Sequence, residues 1–448
     1  MRKRIAMLSP EALVILMFIA VCAGILMGFP VAFTLAGVAI VFGYISFGDK
    51  VFTIAGLRFT SAIDEFEYIA IPLFVFMGAM LERSGVADGA FSALSQWLRK
   101  IRGGLGITTI FISMLLAACI GVLGASVTTI GILTLGQLIN RGYDRGLSCG
   151  IVAAGGSLSV LLPPSVVLII FATIVQTHMI KLFLGAIFPG LLLGLFYMMY
   201  LGILAFLKSG KIPEVVLDDR QPLKYDLFHG LFEFVPLIAL IFCVLGAIVF
   251  GIASPTEVAA VGAAGSILVA AVYKRCSRAA LYESAKNTLL ISSMVVMIAI
   301  GAEIFKAVFF RMTGGEIVKS AIDAADIGPY GLLALFLILV FVMGTFIDWL
   351  GTSLILCPIF IPILAGFGFD PIHMSIVVLV LLQTSFLTPP FAQALLYVMG
   401  VAPPGLTAGE AFKGAVPFIF IQLLVVLICI FFPGFVTFLP DMMVTGWN

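Results

Sequence analysis

From Leu182 to Phe206 the chain carries no charged or amide side chain. At about 1.5 Å per residue, a helix of that length crosses the ~30 Å hydrocarbon core of a bilayer. Comparable apolar runs occupy Glu11 to Met27 and Val416 to Phe432. Backbone in lipid has to satisfy its own hydrogen bonds, which leaves a helix bundle or a closed barrel. The period-two alternation of barrel strands is absent, so the expected fold class is an all-α polytopic membrane protein. Composition agrees, with 62% hydrophobic and 10% charged residues among 448, against ~25% charged in soluble domains. The opening "MRKRIAMLSPEALVILMFIAVCAG" has the basic start and apolar run of a signal peptide. No A-x-A site follows and spans continue to the end, so it is read as a first transmembrane helix.

Several function classes fall away. The seven cysteines, at 22, 119, 149, 243, 276, 357 and 429, form no C-x-x-C and no close pair, and read as small apolar residues. His178, His229 and His373 are scattered, and neither H-E-x-x-H nor G-x-S-x-G occurs, so no catalytic constellation or metal cluster is expected and the chain is not read as an enzyme. A net charge of +1 gives nucleic-acid binding no electrostatic support.

The chain is written twice. "SVLLPPSVV" at 159–167 is answered by "SFLTPPFAQ" at 385–393, and Gly142-Tyr143-Asp144 by Gly368-Phe369-Asp370, all at an offset of 226. "GAS" at 124–126 answers "GTS" at 351–353 one residue out of register, and Pro30 and Gly37 answer Pro255 and Gly262 at an offset of 225. The expected division is a first repeat over 1–207, a connecting loop over 208–230 and a second repeat over 231–448. Each repeat holds a helical hairpin, about 105–139 and about 330–365, and a broken helix, about 147–175 and about 372–400.

Charge suggests orientation. The first hairpin is flanked by Arg99, Lys100 and Arg102 and by Arg141 and Arg145, which places both its ends in the cytoplasm. The second is flanked by "DAADIGP" and "GFGFDP", with no Lys or Arg, which places both its ends outside. The duplication is then inverted in the membrane. Counting back from the hairpins puts the N-terminus outside, whereas Arg2, Lys3 and Arg4 argue for inside. Two amphipathic stretches, around Asp88 to Arg102 and Gly315 to Asp326, are too polar to span and are read as arms along the interface.

Proline removes a backbone donor and clashes with the preceding turn, so two in succession unwind a helix. Freed carbonyls at membrane depth are tolerated only inside protein or along a cavity. A single Pro-Pro reads best as a kink. Two at matched positions in an inverted repeat point instead to paired Na⁺ sites, because a hard cation takes carbonyl and hydroxyl oxygens. The first site would draw on Gly124, Ala125 and Ser126 with Leu162, Pro163 and Ser165. The second would draw on Gly344, Asp348, Gly351 and Thr352 with Leu387, Thr388 and Pro389. Asp348 stands alone between Asp326 and Asp370; an intramembrane carboxylate suits a coupling role, and a helix cap is the alternative. Glu257, two residues after Pro255, is read as a helix-dipole partner. Glu303, Lys306 and Arg311 are read as a solvated or interfacial charge group.

These residues resemble the large membrane subunit of the tripartite ATP-independent periplasmic (TRAP) transporters. The motifs are "GFPVAFTLAG" at 28–37, "IPLFVFMGAMLERSGVA" at 71–87, "GASVTT" at 124–129, "NRGYDRGLSCGIVAAGGSLSVLLPPS" at 140–165, "GIASPTEVAAVG" at 251–262 and "FLTPPF" at 386–391. The resemblance implies a Na⁺-driven importer of organic acids in the bacterial inner membrane, whose hairpins and broken helices move as an elevator against a scaffold. It also implies a small four-helix membrane subunit and a periplasmic substrate-binding protein as partners. Carried over, the first ion site falls on Ser126 and the Pro163-Pro164 break, the second on the Asp348 to Thr352 tip with Thr388 and Pro389. Trp349 stands where that family usually has Pro, and Phe391 and Gln393 follow the second break. Ser165, Thr384 and Gln393 are the substrate-pocket candidates. The alternatives are a stand-alone divalent-anion and Na⁺ symporter that needs no binding protein, and a passive channel, which two midplane breaks fit less well.

Overall fold

A computed structural model describes residues 9–208, 210–214, 227–324 and 328–445. All regular structure in these residues is helical. The first half supplies α1 (Pro10–Leu26), α2 (Val31–Phe47), α3 (Lys50–Ile63), α4 (Ala70–Ser84), α5 (Val86–Trp97), α6 (Gly104–Ile120), α7 (Leu123–Asn140), α8 (Arg145–Ser157), α9 (Val166–Val175) and α10 (Met179–Phe206). The second supplies α11 (Leu227–Val249), α12 (Pro255–Val272), α13 (Arg278–Arg311), α14 (Gly314–Ala324), α15 (Pro329–Phe346), α16 (Trp349–Gly366), α17 (Pro371–Leu387), α18 (Gln393–Gly400), α19 (Ala408–Phe431) and α20 (Gly434–Thr445). Among the described residues eight helices are long and apolar enough to span a bilayer, or nine if the bent pair α4 and α5 counts as one span.

The helices sort into two packed groups. In one, α13 lies along α2, α3 and α4, and α12 lies along α4. In the other, α8 packs on α7 and α19, and α17 packs on α15, α16 and α19. Lipid offers no hydrophobic drive between helices, so close contact depends on small residues. The seam between α8 and α19 is the extreme case. A methyl group on Gly150 would lie 2.3 Å from the Gly414 carbonyl oxygen, and one on Gly146 would lie 2.5 Å from that of Glu410. The two backbones touch with no side chain between them.

The hairpins are α6 with α7 and α15 with α16. Their tips fall at residues 121–122 and 347–348, so the offset of 226 runs unbroken from hairpin to break. The Gly-aromatic-Asp triplets explain themselves in turn. Gly142 and Gly368 end their hairpins at φ 85° and 91°, a left-handed conformation that glycine adopts without steric cost. Tyr143 closes the base of the first hairpin by accepting from Gly106 N at 3.3 Å. Phe369 closes the second, edge-on to Tyr330 with ring centroids 5.7 Å apart. Asp144 then caps α8, accepting from Leu147 N at 2.9 Å, and Asp370 caps α17, accepting from Ile372 N at 2.6 Å.

The second set runs opposite to the first. Arg145, at the start of α8, donates to the Gly405 carbonyl beyond the end of α18 at 3.1 Å. Arg102 donates to the Ile212 carbonyl at 3.0 Å and Asp144 N to that of Lys211 at 2.9 Å. One face therefore gathers the basic loops, and the hairpin-2 ends lie on the other. α13 starts from the basic face, since Arg275 lies beside Gly85 at the end of α4. Phe18 of α1 stacks edge-on against Phe305 and Phe309 near the far end of α13, whereas Ala32, at the start of α2, sits deeper and touches Gly301. α1 thus enters from the face away from the basic loops. The competing Arg2, Lys3 and Arg4 lie outside the described residues, as does most of the connecting loop, of which 227–230 already belong to α11.

The two amphipathic stretches form α5, bent 57° from α4, and α14. The N-terminal Pro and Gly pairs share less than their spacing suggests. Gly262 is pressed against Met77 and Val244, whereas a methyl group on Gly37 would meet nothing.

Candidate functional site

Each break interrupts the helical ladder at its Pro-Pro pair, and in both the Pro-Pro bond is cis. In the first, the last bond before the break is Leu162 N to the Leu158 carbonyl at 2.9 Å, and the next is Ile169 N to that of Ser165 at 3.2 Å. The carbonyls of Leu162, Pro163 and Pro164 fall in the gap between them. Residues 161 to 165 are all buried, and the hairpin-1 tip closes over them. A methyl group on Gly121, at φ 63°, would lie 3.2 Å from the Pro164 carbonyl oxygen and 3.1 Å from Val166 N. Ser126, on the first turn of α7, is fully buried, and its hydroxyl has no hydrogen-bond partner. Gly124, beside it, faces the ring of Tyr397 from α18.

In the second break Phe391 N donates to the Thr345 carbonyl at 3.1 Å, which ties the unwound segment to the hairpin-2 tip. Gly344 sits against Ser385, where an added methyl group would come within 2.5 Å of its hydroxyl. Ser385 Oγ and Thr352 Oγ1 are both buried without a partner. Thr352 is the residue at the 226 offset from Ser126. The "GAS" and "GTS" triplets are therefore not the matching positions, because Ser353 spends its hydroxyl on the Trp349 carbonyl at 2.6 Å. Asp348 is the N-cap of α16 and accepts from Gly351 N at 3.3 Å.

Other named residues are placed as follows. Ser165 is fully buried; it donates to the Val160 carbonyl at 2.9 Å and accepts from Val167 N at 3.2 Å, so it caps α9. Thr384 and Thr388 turn their hydroxyls back onto the carbonyls of Leu381 and Thr384, each at 2.6 Å. Gln393 is half-buried at the start of α18. Ala125 is half-buried, and Pro389 is exposed. Hard-cation chemistry fits what the tips offer, namely skipped carbonyls and orphaned hydroxyls. Among the described residues no group of three His, Cys, Asp or Glu could hold a metal ion.

The charge group on α13 departs from expectation in part, since Arg311 is exposed as read. Glu303 and Lys306 form an ion pair, with side chains 21% and 17% exposed, rather than a solvated cluster. They line a crevice between the two helix groups together with Tyr68, Ile170, Leu350 and Leu354. An adjoining cleft of about 430 Å³ is lined by Arg58, Glu65, Gln176 and His178. The i to i+3 spacing of Glu303 and Lys306 was the available signal, since such pairs meet on one helix face. Nothing in the sequence placed them against the hairpins. Glu257 behaves as read from the sequence, closing a capping box with Ser254.

Comparison with known proteins follows the same lines. Residues 17–435 match the family model described as "Tripartite ATP-independent periplasmic transporter, DctM component". The C4-dicarboxylate TRAP transporter large permease protein DctM of Pseudomonas aeruginosa is 31% identical over 399 residues, covering 88% of this chain and 90% of that one. The sialic acid TRAP transporter large permease protein SiaM of Vibrio cholerae is 26% identical over 416 residues, covering 93% and 95%. The isethionate TRAP transporter permease protein DctMQ of Oleidesulfovibrio alaskensis is 32% identical over 382 residues, covering 85% of this chain and 59% of that longer one. A solved structure of the YdaH transporter of Alcanivorax borkumensis, at 18% identity, shares the fold with a TM-score of 0.58 and covers 89% of each chain. With eight or more apolar helices and a family match over nearly its whole length, the chain belongs to the tripartite ATP-independent periplasmic transporters as a DctM component, a multi-pass protein of the bacterial inner membrane and not an enzyme.

Proposed function

We propose that this chain is the transport subunit of a Na⁺-coupled, binding-protein-dependent importer of organic acids. The observation that carries the coupling is the pair Ser126 and Thr352. Both are buried hydroxyls without partners, one on each hairpin tip and one repeat apart. A buried hydroxyl left unpaired costs about 1–3 kcal/mol, and an ion held with the break carbonyls would offset that cost. In this reading Ser126 with the Leu162 to Pro164 carbonyls holds one Na⁺. Thr352 and Ser385, with carbonyls around Thr388 and Pro389, hold the other. Na⁺ supplies positive charge beside the tips, where a carboxylate is drawn; Gln393 and the N-terminus of α18 stand at the open edge of the second break.

The division into two packed helix groups supports an elevator displacement of α6–α10 and α15–α20 against α1–α5 and α11–α14. Substrates named for relatives, C4-dicarboxylate and sialic acid, place organic acids first. The partners follow from the tripartite family: a small membrane subunit bracing the scaffold and a periplasmic protein delivering substrate. The test is uptake of radiolabelled organic acids into proteoliposomes holding this chain and its small subunit. Uptake that requires both an inward Na⁺ gradient and the soluble protein is expected. Gradient-driven uptake without the soluble protein would establish a stand-alone symporter instead.

A further inference from the structure

On the side of the broken helices away from the hairpin tips, four polar side chains meet in an otherwise apolar interior. Ser157 ends α8, Tyr197 lies in mid α10, Gln383 lies on α17 and Gln422 in mid α19. All four are fully buried. Ser157 and Gln383 are a symmetry pair, 226 residues apart, the offset of the hairpins and breaks, and Tyr197 and Gln422 come from the long helices α10 and α19, one in each repeat. Two residues from each repeat thus meet beside the pseudo-two-fold axis.

Their hydrogen bonding is incomplete. Ser157 has one proton and gives it to the Ala154 carbonyl at 2.8 Å, so Gln383 Oε1, at 3.5 Å, is left with a poor contact. The Tyr197 hydroxyl lies beside Ser157 and Gln422. It nevertheless makes no bond of normal geometry, and neither do Gln383 Nε2 or the two polar atoms of the Gln422 amide. Packing fixes the hydroxyl's position, because the Tyr197 ring stands edge-on to Phe418 with centroids 5.3 Å apart. Buried amides and hydroxyls are paired in native proteins, by an internal water where protein atoms do not reach.

We propose that Ser157, Tyr197, Gln383 and Gln422 form an internal water site beside the pseudo-two-fold axis, and that the bound water ties the two broken helices together. Water suits the mixture present. It accepts from an amide N–H or the phenol and donates to the amide oxygens. A cation does not suit it, since the Gln383 and Gln422 amides bring N–H donors that a cation cannot use. The coupling rests on the reading of two Na⁺ sites given above. α8 and α17 lead into the two breaks, so a link between them makes occupancy of one site felt at the other.

Two measurements test this. The first is a cryo-electron microscopy map of the chain with its small subunit in nanodiscs, at a resolution where ordered waters are visible. A peak within hydrogen-bonding distance of Tyr197 Oη and the Gln422 amide is expected. Direct bonds among the four side chains with no peak between them would overturn the site. The second is the Na⁺ activation curve of uptake for Tyr197→Phe, with Gln383→Met as the alternative should the first fail to fold. The Hill coefficient is expected to fall from above one toward one, with Na⁺ still required. An unchanged coefficient with the peak abolished would overturn the coupling. A wild type with no Na⁺ dependence would overturn the ion reading itself, and the map would still decide the water site.

Discussion

The two breaks are built from the same sequence pattern at one offset, yet they stand in different surroundings. Residues 161 to 165 are buried under Gly121. Pro389, Pro390 and Phe391 are exposed, and a single backbone bond to Thr345 ties the segment to its hairpin tip. A repeat related by an in-plane axis cannot open to one side of the membrane and keep its halves equivalent, and this conformation has a closed first break and an open second one. The tips differ to match. The first is a left-handed glycine pressed on backbone, and at the same place the second has Ile347 in extended conformation, followed by the Asp348 cap.

The largest effect that could break this comparison is at the tips. Gly121→Val puts a β-branched residue at positive φ, which costs ~1–3 kcal/mol in backbone strain alone, and drives it into the Pro164 carbonyl. Thermal unfolding in detergent should fall sharply, while Ile347→Val at the equivalent place should cost about 0.5–1.5 kcal/mol. Equal losses would show that the two tips seal alike. Next come the orphaned hydroxyls. Ser126→Ala and Thr352→Val should each raise the Na⁺ concentration for half-maximal uptake about tenfold, equivalent to ~1.4 kcal/mol. Thr388→Val and Ser353→Ala should shift it far less, their hydroxyls being spent on carbonyls. The same large shift in all four variants would remove the distinction between free and committed hydroxyls.

Asp348 has no acidic counterpart, since Val122 holds its place in the first hairpin. Asp348→Ala should cost ~1 kcal/mol of stability as a lost cap, and Asp348→Asn a few tenths, because Asn caps nearly as well. Uptake abolished in a stable Asp348→Asn protein would assign the carboxylate to coupling rather than capping. A comparable effect is expected at the hairpin bases. Tyr143→Phe leaves the buried Gly106 N without its acceptor and makes the first base resemble the second, at a cost of about 1 kcal/mol read by the same unfolding measurement.

Much of the architecture was legible because it depends on residues with unusual backbone rules. Pro-Pro pairs, Gly142 and Gly368, and the capping Asp144 and Asp370 fix local geometry wherever they stand, and their constant spacing exposed the duplication, the hairpins and the breaks. The site was less legible because a hydroxyl's role is set by what lies within 3 Å of it. Ser165, Thr384 and Thr388 were plausible ligands by type and depth, yet each bonds a nearby carbonyl. Thr352 was read as a second-site ligand, but its equivalence to Ser126 was masked by the triplet match one residue out of register; Ser385 was not read as a ligand, and its counterpart Ser159 donates to the Gly156 carbonyl at 2.8 Å. The meeting of Tyr197 with Gln422 could not be seen in advance, since no motif links the two residues.

The bare contact of α8 with α19 through Gly146, Gly150 and Gly414 has a practical consequence. With no side chains to yield between them, the two helices behave as one rigid lever, although they belong to different repeats. A spectroscopic label at exposed Phe432, one residue past α19, would therefore report any displacement of the first break from outside the protein, without touching a residue near either tip.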